Sequence, residues 1–179
     1  MYVFLADGFE EIEALAPVDV MRRAGLAVTT VSVTNNQIVI GAHGIPVVAD
    51  AMFDELNYTD ASLLFLPGGL PGATNLEAHA GLCQLLTAKA TQEDVVISAI
   101  CAAPLVLGGL GLLNGKRATC YPGFEEHLKG ADIQKLPVVC DQNVITAMGM
   151  GASIPFGLAI VAYFKGSECA ERIKAAIFA

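Results

Sequence analysis

Charge is scarce in this chain. Only 16% of its 179 residues are Asp, Glu, Lys or Arg, with 10 basic against 18 acidic, giving a formal net charge of −8. Proteins that grip a phosphate backbone need a basic footprint, so nucleic acid is excluded as the main partner. Paired cysteines are missing as well. The five cysteines, at positions 83, 101, 120, 140 and 169, are odd in number and form no Cys-x-x-Cys, which argues against a disulfide framework and against a zinc site. His43, His79 and His127 are far apart in sequence, so no metal is expected. Neither Gly-x-Gly-x-x-Gly nor a phosphate loop occurs, and no cofactor is expected. The stretch from Met1 to Asp7 has no basic start and no small-residue cleavage site after an apolar run. It reads as a first strand rather than a signal peptide, and a cytoplasmic location is expected.

Apolar residues, by contrast, make up 54% of the chain, a value that excludes disorder and implies elements buried on both faces. Two uncharged runs, Val95 to Gly115 and Gln142 to Phe164, are long enough to cross a bilayer. Pro104, Gly108, Gly109 and Gly111 interrupt the first, and Gly149, Gly151 and Pro155 the second. Each therefore reads as strand, turn and helix, with no membrane partner. The length suits one domain over residues 1–179.

Strand and helix patterns alternate along the chain. Tyr2 to Ala6 is a short apolar run, and Glu10 to Ala24 reads as a helix closed by Gly25. Ala27 to Val33 reads as a strand, and Gln37 to Ile40 with Ile45 to Val48 form a small strand excursion. Ser62 to Leu66 is a buried strand, and Asn75 is expected to cap a helix running to about Lys89. Val95 to Ala99 gives the next strand, entering a helix from Ala102 to about Leu112. Short strands are expected at Arg117 to Cys120, Val138 to Cys140 and Val144 to Met148, then helices at Ser153 to Phe164 and Glu168 to Phe178. This order predicts an α/β fold, a doubly wound, mostly parallel sheet between helices, with ligands at the carboxyl ends of the strands.

The sharpest chemical signal is Ile97-Ser98-Ala99-Ile100-Cys101-Ala102-Ala103-Pro104. A strand passes into a helix with almost no loop, small residues on both sides and a cysteine at the apex, the build of a nucleophile elbow. A thiol at a helix start feels the positive end of the helix dipole, so an acidic thiol is expected at Cys101. Leu66-Pro67-Gly68-Gly69 ends the preceding strand at the same edge, and its glycines allow backbone N–H groups to approach a substrate oxygen. In Glu10-Glu11-Ile12-Glu13 the acidic residues complement the dipole of the first helix and read as solvated, with one exception. Glu13 shares a face with Pro17 and Val20, so its carboxyl is expected to be partly desolvated and to hold its proton at neutral pH.

Taken in order, Ala6-Asp7-Gly8-Phe9-Glu10-Glu11-Ile12-Glu13, Pro17-Val18-Asp19-Val20-Met21-Arg22-Arg23-Ala24-Gly25, Leu66-Pro67-Gly68-Gly69 and Ala99-Ile100-Cys101-Ala102 resemble the ThiJ/PfpI superfamily, in its DJ-1 branch. Gly72-Ala73-Thr74-Asn75-Leu76 and Gly149-Met150-Gly151-Ala152-Ser153 extend the resemblance over nearly the whole chain. The resemblance implies a DJ-1/PfpI-like, flavodoxin-like sandwich and a homodimer. It implies that Cys101 is an oxidisable nucleophile hydrogen-bonded to a protonated Glu13, with backbone donors at Gly68, Gly69 and Ala102. It places Arg23, Tyr121, His43, Gly149 and Met150 at the pocket. Two departures stand out: Tyr121 occupies the place of a family histidine, and His43 that of a frequent arginine.

Two functions follow from the resemblance. One is a cofactor-independent glyoxalase or deglycase, whose partner is a small α-oxoaldehyde such as methylglyoxal or a protein carrying its adduct. The other is a redox sensor or chaperone that works through oxidation of Cys101 without significant turnover. Hydrolases of the same superfamily place His directly after the cysteine or carry a late His-x-Glu. Here Ala102 follows Cys101 and no His-x-Glu occurs, so a peptidase or amidotransferase-like activity is disfavoured.

Overall fold

The computed structural model describes residues 1–179. Its strands are β1 (Tyr2–Leu5), β2 (Thr29–Ser32), β3 (Ile38–Ile40), β4 (Pro46–Val48), β5 (Ala51–Met52), β6 (Leu63–Leu66), β7 (Val96–Ile100), β8 (Arg117–Ala118), β9 (Asp132–Ile133), β10 (Val138–Asp141) and β11 (Val144–Ala147). The α-helices are α1 (Glu11–Arg23), α2 (Gly72–Ala78), α3 (Ala80–Lys89), α4 (Pro104–Gly109), α5 (Ser153–Lys165) and α6 (Ser167–Ala176). Seven strands form one sheet in the order β10-β11-β7-β6-β1-β2-β5. All neighbours in it run parallel except the edge pair β10 and β11.

Both faces of the sheet are covered, as continuous apolar strands require. In β1, Tyr2 and Phe4 face one core with Leu64, Leu66, Ile97 and Ala99, beneath α2, α3 and α4. Val3 and Leu5 face the other core with Phe65, Val96 and Ile100, beneath α1 and α5. This alternation is the period-2 pleat of a strand buried on two sides. Helices α1 and α5 lie close together at Gly157, where an added Cβ would stand 3.0 Å from Pro17 Cα. The chain thus brings the helix carrying Glu13 against the one that follows Met150. No helix is long and apolar enough to cross a membrane.

The expected single helix from Asn75 to Lys89 is two helices. Asn75 lies inside α2 and its amide donates to the Asp7 carbonyl at 2.8 Å. The cap of α3 is His79, whose Nδ1 accepts from Leu82 N–H at 3.0 Å. Histidine is an unusual cap, so the preference for Asn as a cap pointed to the wrong residue. The helix expected from Ala102 to Leu112 is shorter, six residues from Pro104, because the chain is still turning through Cys101, Ala102 and Ala103. The predicted excursion is an antiparallel hairpin of β3 and β4 outside the main sheet. It is tied down where Gly8 N–H meets Ile40 O at 2.7 Å and Ile40 N–H meets Asp7 Oδ1 at 2.9 Å.

Candidate functional site

Three adjacent parallel strands end at one place. Strand β1 leads through the loop at Gly8 into α1 and Glu13, β6 leads into Pro67-Gly68-Gly69, and β7 leads into Cys101. The order reverses between β1 and β6, one side running to β2 and the other to β7. This is the crevice where open α/β sheets bind ligands.

Cys101 is held in the left-handed region at φ 63°, a conformation that a residue with a Cβ adopts only when its surroundings impose it. Here they do. Its N–H continues the sheet to Ala147 O at 2.9 Å, and its carbonyl accepts from Tyr121 N–H at 2.8 Å. The sulfur is half-buried and receives the N–H groups of Ala102 and Gly69.

Beside it stands Glu13, 1% exposed, its carboxyl near enough to the thiol that each shifts the other's titration. Glu13 Oε2 accepts from Gly68 N–H at 3.1 Å. The Gly68 donor is therefore engaged with Glu13 and is not free for a substrate oxygen, so it departs from the role expected for it. The glycine itself is required by space: a Cβ there would lie 2.4 Å from Glu13 Oε2 and 2.6 Å from Cys101 Cβ.

Burial pushes the Glu13 carboxyl up to about 7, the bond from Cys101 pulls it back, Glu10 raises it further, and the Gly68 and Met150 N–H groups lower it. Burial, followed by the charge of Glu13 and its hydrogen bond, pushes the Cys101 thiol up to about 12 against the pull of the Ala102 and Gly69 N–H groups. The acidic thiol expected from the helix start is thus corrected. Helix α4 begins three residues beyond Cys101 and is only six residues long, so its dipole is small, and an ionised carboxylate would sit beside the sulfur. One proton is shared by the pair. Thiolate forms when that proton lies on Glu13, which then donates to the sulfur while the Gly69 and Ala102 N–H groups face the charge.

The remaining expected residues are placed in three ways. Gly149 and Tyr121 flank the pair, since a Cβ on Gly149 would lie 3.3 Å from the Tyr121 ring and 3.8 Å from Glu13 Oε1. Arg23 is not brought in. It lies ten residues past Glu13 on α1, about 15 Å along the axis, and pairs with Asp19 at 2.7 Å on the exposed surface.

His43 is one step removed. Its N–H and Nδ1 hold the two oxygens of Glu11 at 2.9 and 2.8 Å. Glu11, expected to be solvated, is only 3% exposed. Burial works against its ionisation, but the bonds from His43 hold the carboxyl below the usual range. The potential ligand atoms of Glu10, Glu11 and His43 lie within 4.8 Å of one another, but Glu11 gives both oxygens to His43. Glu11 is the residue that sequence reasoning missed. The nearest signal was Gly41, where a Cβ would lie 2.2 Å from Glu11 Oε1.

A strained cysteine at a strand-to-helix elbow, a buried carboxyl on it and glycine-rich backbone around it define a cysteine-centred α/β sandwich protein. The DJ-1/PfpI family model matches residues 1–163. The chain is 36% identical over 97% of its length to the "Parkinson disease protein 7 homolog" of Danio rerio, of which it covers 93%. It is 36% identical over 94% of its length to "Protein DJ-1 homolog B" of Arabidopsis thaliana, but spans only 39% of that relative. Among solved structures, oxidized Toxoplasma gondii DJ-1 superposes with a TM-score of 0.94 at 32% identity, covering 99% of this chain and 96% of that one. The chain belongs to the DJ-1/PfpI family.

Proposed function

We propose that this protein is a cofactor-independent glyoxalase or deglycase acting on α-oxoaldehydes of the methylglyoxal type in the cytoplasm. The observation that carries the reading is the buried Glu13 carboxyl set beside Cys101 across Gly68, with Cys101 held at a left-handed elbow. With the proton on Glu13, the Cys101 thiolate adds to the aldehyde carbon, and the resulting oxyanion takes up a proton to give a hemithioacetal. Glu13, once ionised, removes the hydrogen of that carbon as a proton and returns it to the neighbouring carbon. An enediol becomes a thioester of a 2-hydroxy acid. Water then cleaves the C–S bond, releasing the hydroxy acid and restoring the thiol, so methylglyoxal plus water gives lactate. The deglycase version starts from a protein hemiaminal or hemithioacetal, which first releases the protein amine or thiol and restores the aldehyde that the Cys101 thiolate attacks.

The test is lactate formation from methylglyoxal by wild type, Cys101→Ser and Glu13→Gln. Each substitution is expected to lower kcat/KM at least about 100-fold, the usual scale for losing a nucleophile or an acid-base group. Equal rates in all three would remove the mechanism.

A second reading, a redox sensor or chaperone, is favoured by the same protonated carboxyl, which can hydrogen-bond the oxygens of a Cys101 sulfinate. The solved Toxoplasma relative described as oxidized also supports it. Under mild peroxide, intact mass and peptide mapping should find two added oxygens on Cys101 ahead of the other four cysteines. Uniform oxidation of all five argues against it.

We further propose that the chain pairs as a homodimer through the outer face of α1 and α5, where Ile12, Leu15 and Ile154 are exposed at 50%, 36% and 38%. Exposed large apolar residues on two helices packed side by side suit an association surface. Sedimentation should give twice the chain mass for wild type and the single mass for Ile12→Lys with Ile154→Lys. An unchanged dimer in that variant places the interface elsewhere.

A further inference from the structure

Next to the reactive pair lies an open depression of about 550 Å³, walled by Tyr121, Pro122, Pro137, Met148, Gly149 and Met150. None of these side chains carries a charge. Tyr121 and Met150 are 50% and 56% exposed, and the Tyr121 ring is steadied edge-on by Phe124, with centroids 6.4 Å apart. The depression is joined to the chemistry at two points: Tyr121 N–H on the Cys101 carbonyl at 2.8 Å, and the Gly149 backbone between the Tyr121 ring and Glu13. Cys101 and Glu13 are not in its wall, but its Tyr121 and Gly149 rim adjoins them. No lysine, arginine or histidine lines the depression, so nothing in its wall pairs with an anionic group.

We infer that the shelf of Tyr121, Pro137 and Met150 selects substrates by an uncharged apolar substituent, so that aryl and branched alkyl α-oxoaldehydes are preferred over glyoxal and over phosphorylated or carboxylated carbonyls. As a choice of substrate class, this rests on the oxoaldehyde reading above. The shelf itself can be tested without turnover. Aromatic and proline surfaces take up a phenyl ring by excluding water from both, and no charged partner in the lining compensates a charged substituent for lost water.

The experiment is competitive labelling of the full chain with equimolar iodoacetamide and N-benzyl iodoacetamide at low conversion, read by peptide mass. Both form the same S–C bond with loss of iodide and differ only in the benzyl group. Exposed Cys140 on the same chain is the internal reference. The benzyl-to-plain ratio at Cys101 is expected to exceed that at Cys140 by at least about fivefold, the scale of partial burial of a phenyl ring. It should fall toward the Cys140 value in Tyr121→Ser and in Pro137→Ser, both changes at exposed positions.

Equal ratios at the two cysteines in wild type, or a Cys101 ratio untouched by both substitutions, overturn the shelf. Turnover of phenylglyoxal and glyoxal is measured in parallel, with kcat/KM expected to favour phenylglyoxal. No turnover of either aldehyde, with the labelling preference intact, overturns the oxoaldehyde reading and with it the substrate preference, while the shelf stands. Turnover that favours glyoxal overturns the substrate preference alone.

Discussion

Replacing Glu13 with glutamine will change how stability depends on pH. Between pH 4 and 8, the unfolding free energy of the wild type is expected to fall relative to Glu13→Gln by roughly 3 kcal/mol. The sign follows from burial. The folded protein holds the Glu13 proton up to about 7, against an ordinary value of 4.5, so the folded state binds the proton more tightly than the unfolded chain. Stability from this group is fully present below pH 4.5, is lost as pH rises through 7, and stays flat above that. Glutamine cannot ionise, so between pH 4 and 8, where the folded Cys101 thiol stays protonated, the difference between the two proteins is dominated by this one carboxyl. Urea unfolding at half-unit pH steps measures it. A difference that does not vary with pH would mean that Glu13 titrates normally and is not desolvated. In a Cys101→Ala background the thiol hydrogen bond that lowers Glu13 is gone, so the same fall should move to higher pH.

Gly69→Ala is expected to cost about 3 kcal/mol or more, or to prevent folding, whereas Gly25→Ala should cost about 1 kcal/mol. Both glycines have positive φ, 88° and 72°. The difference is space. A Cβ on Gly69 would sit 2.4 Å from Glu10 N, 2.5 Å from Gly8 O and 2.7 Å from Phe9 C, all backbone that cannot rotate aside. Around Gly25 nothing lies within 4 Å, and only the left-handed backbone penalises a side chain there. Chemical denaturation of the two variants side by side decides the matter. Equal losses would mean that the β6 loop and the β1 loop are not locked together as described.

Much of this arrangement could be read from sequence because its causes are local. The alternation of Tyr2, Val3, Phe4 and Leu5 between two cores is written in a run that is apolar at every position. Cys101 was legible because only small residues tolerate the elbow, and Glu13 because helical periodicity aligns it with Pro17 and Val20. What could not be read depends on segments distant in the chain. Glu11 is buried by a hairpin that begins almost thirty residues later. Gly68 is drawn to Glu13 across 55 positions, which no spacing rule signals. Arg23 was placed by resemblance, and a single helix carries it away from the pocket. The thiol departs from its expectation for a related reason: the helix start is visible in the sequence, but the buried carboxylate that opposes it is a matter of packing.

The ends of the sheet carry a consequence for solubility. A row of strands as apolar as β1, β6 and β7 would recruit other chains if its margin lay open. One margin is β5, two residues long and cut short by the 3-10 turn Phe53–Glu55. The other is β10, which runs antiparallel, follows Pro137 and ends at Asp141. Neither offers a long flat template, so the native protein should not seed aggregation from its edges. The hazardous segments are the central ones, and they become accessible only when the sheet comes apart. Aggregation on heating should therefore follow unfolding rather than precede it.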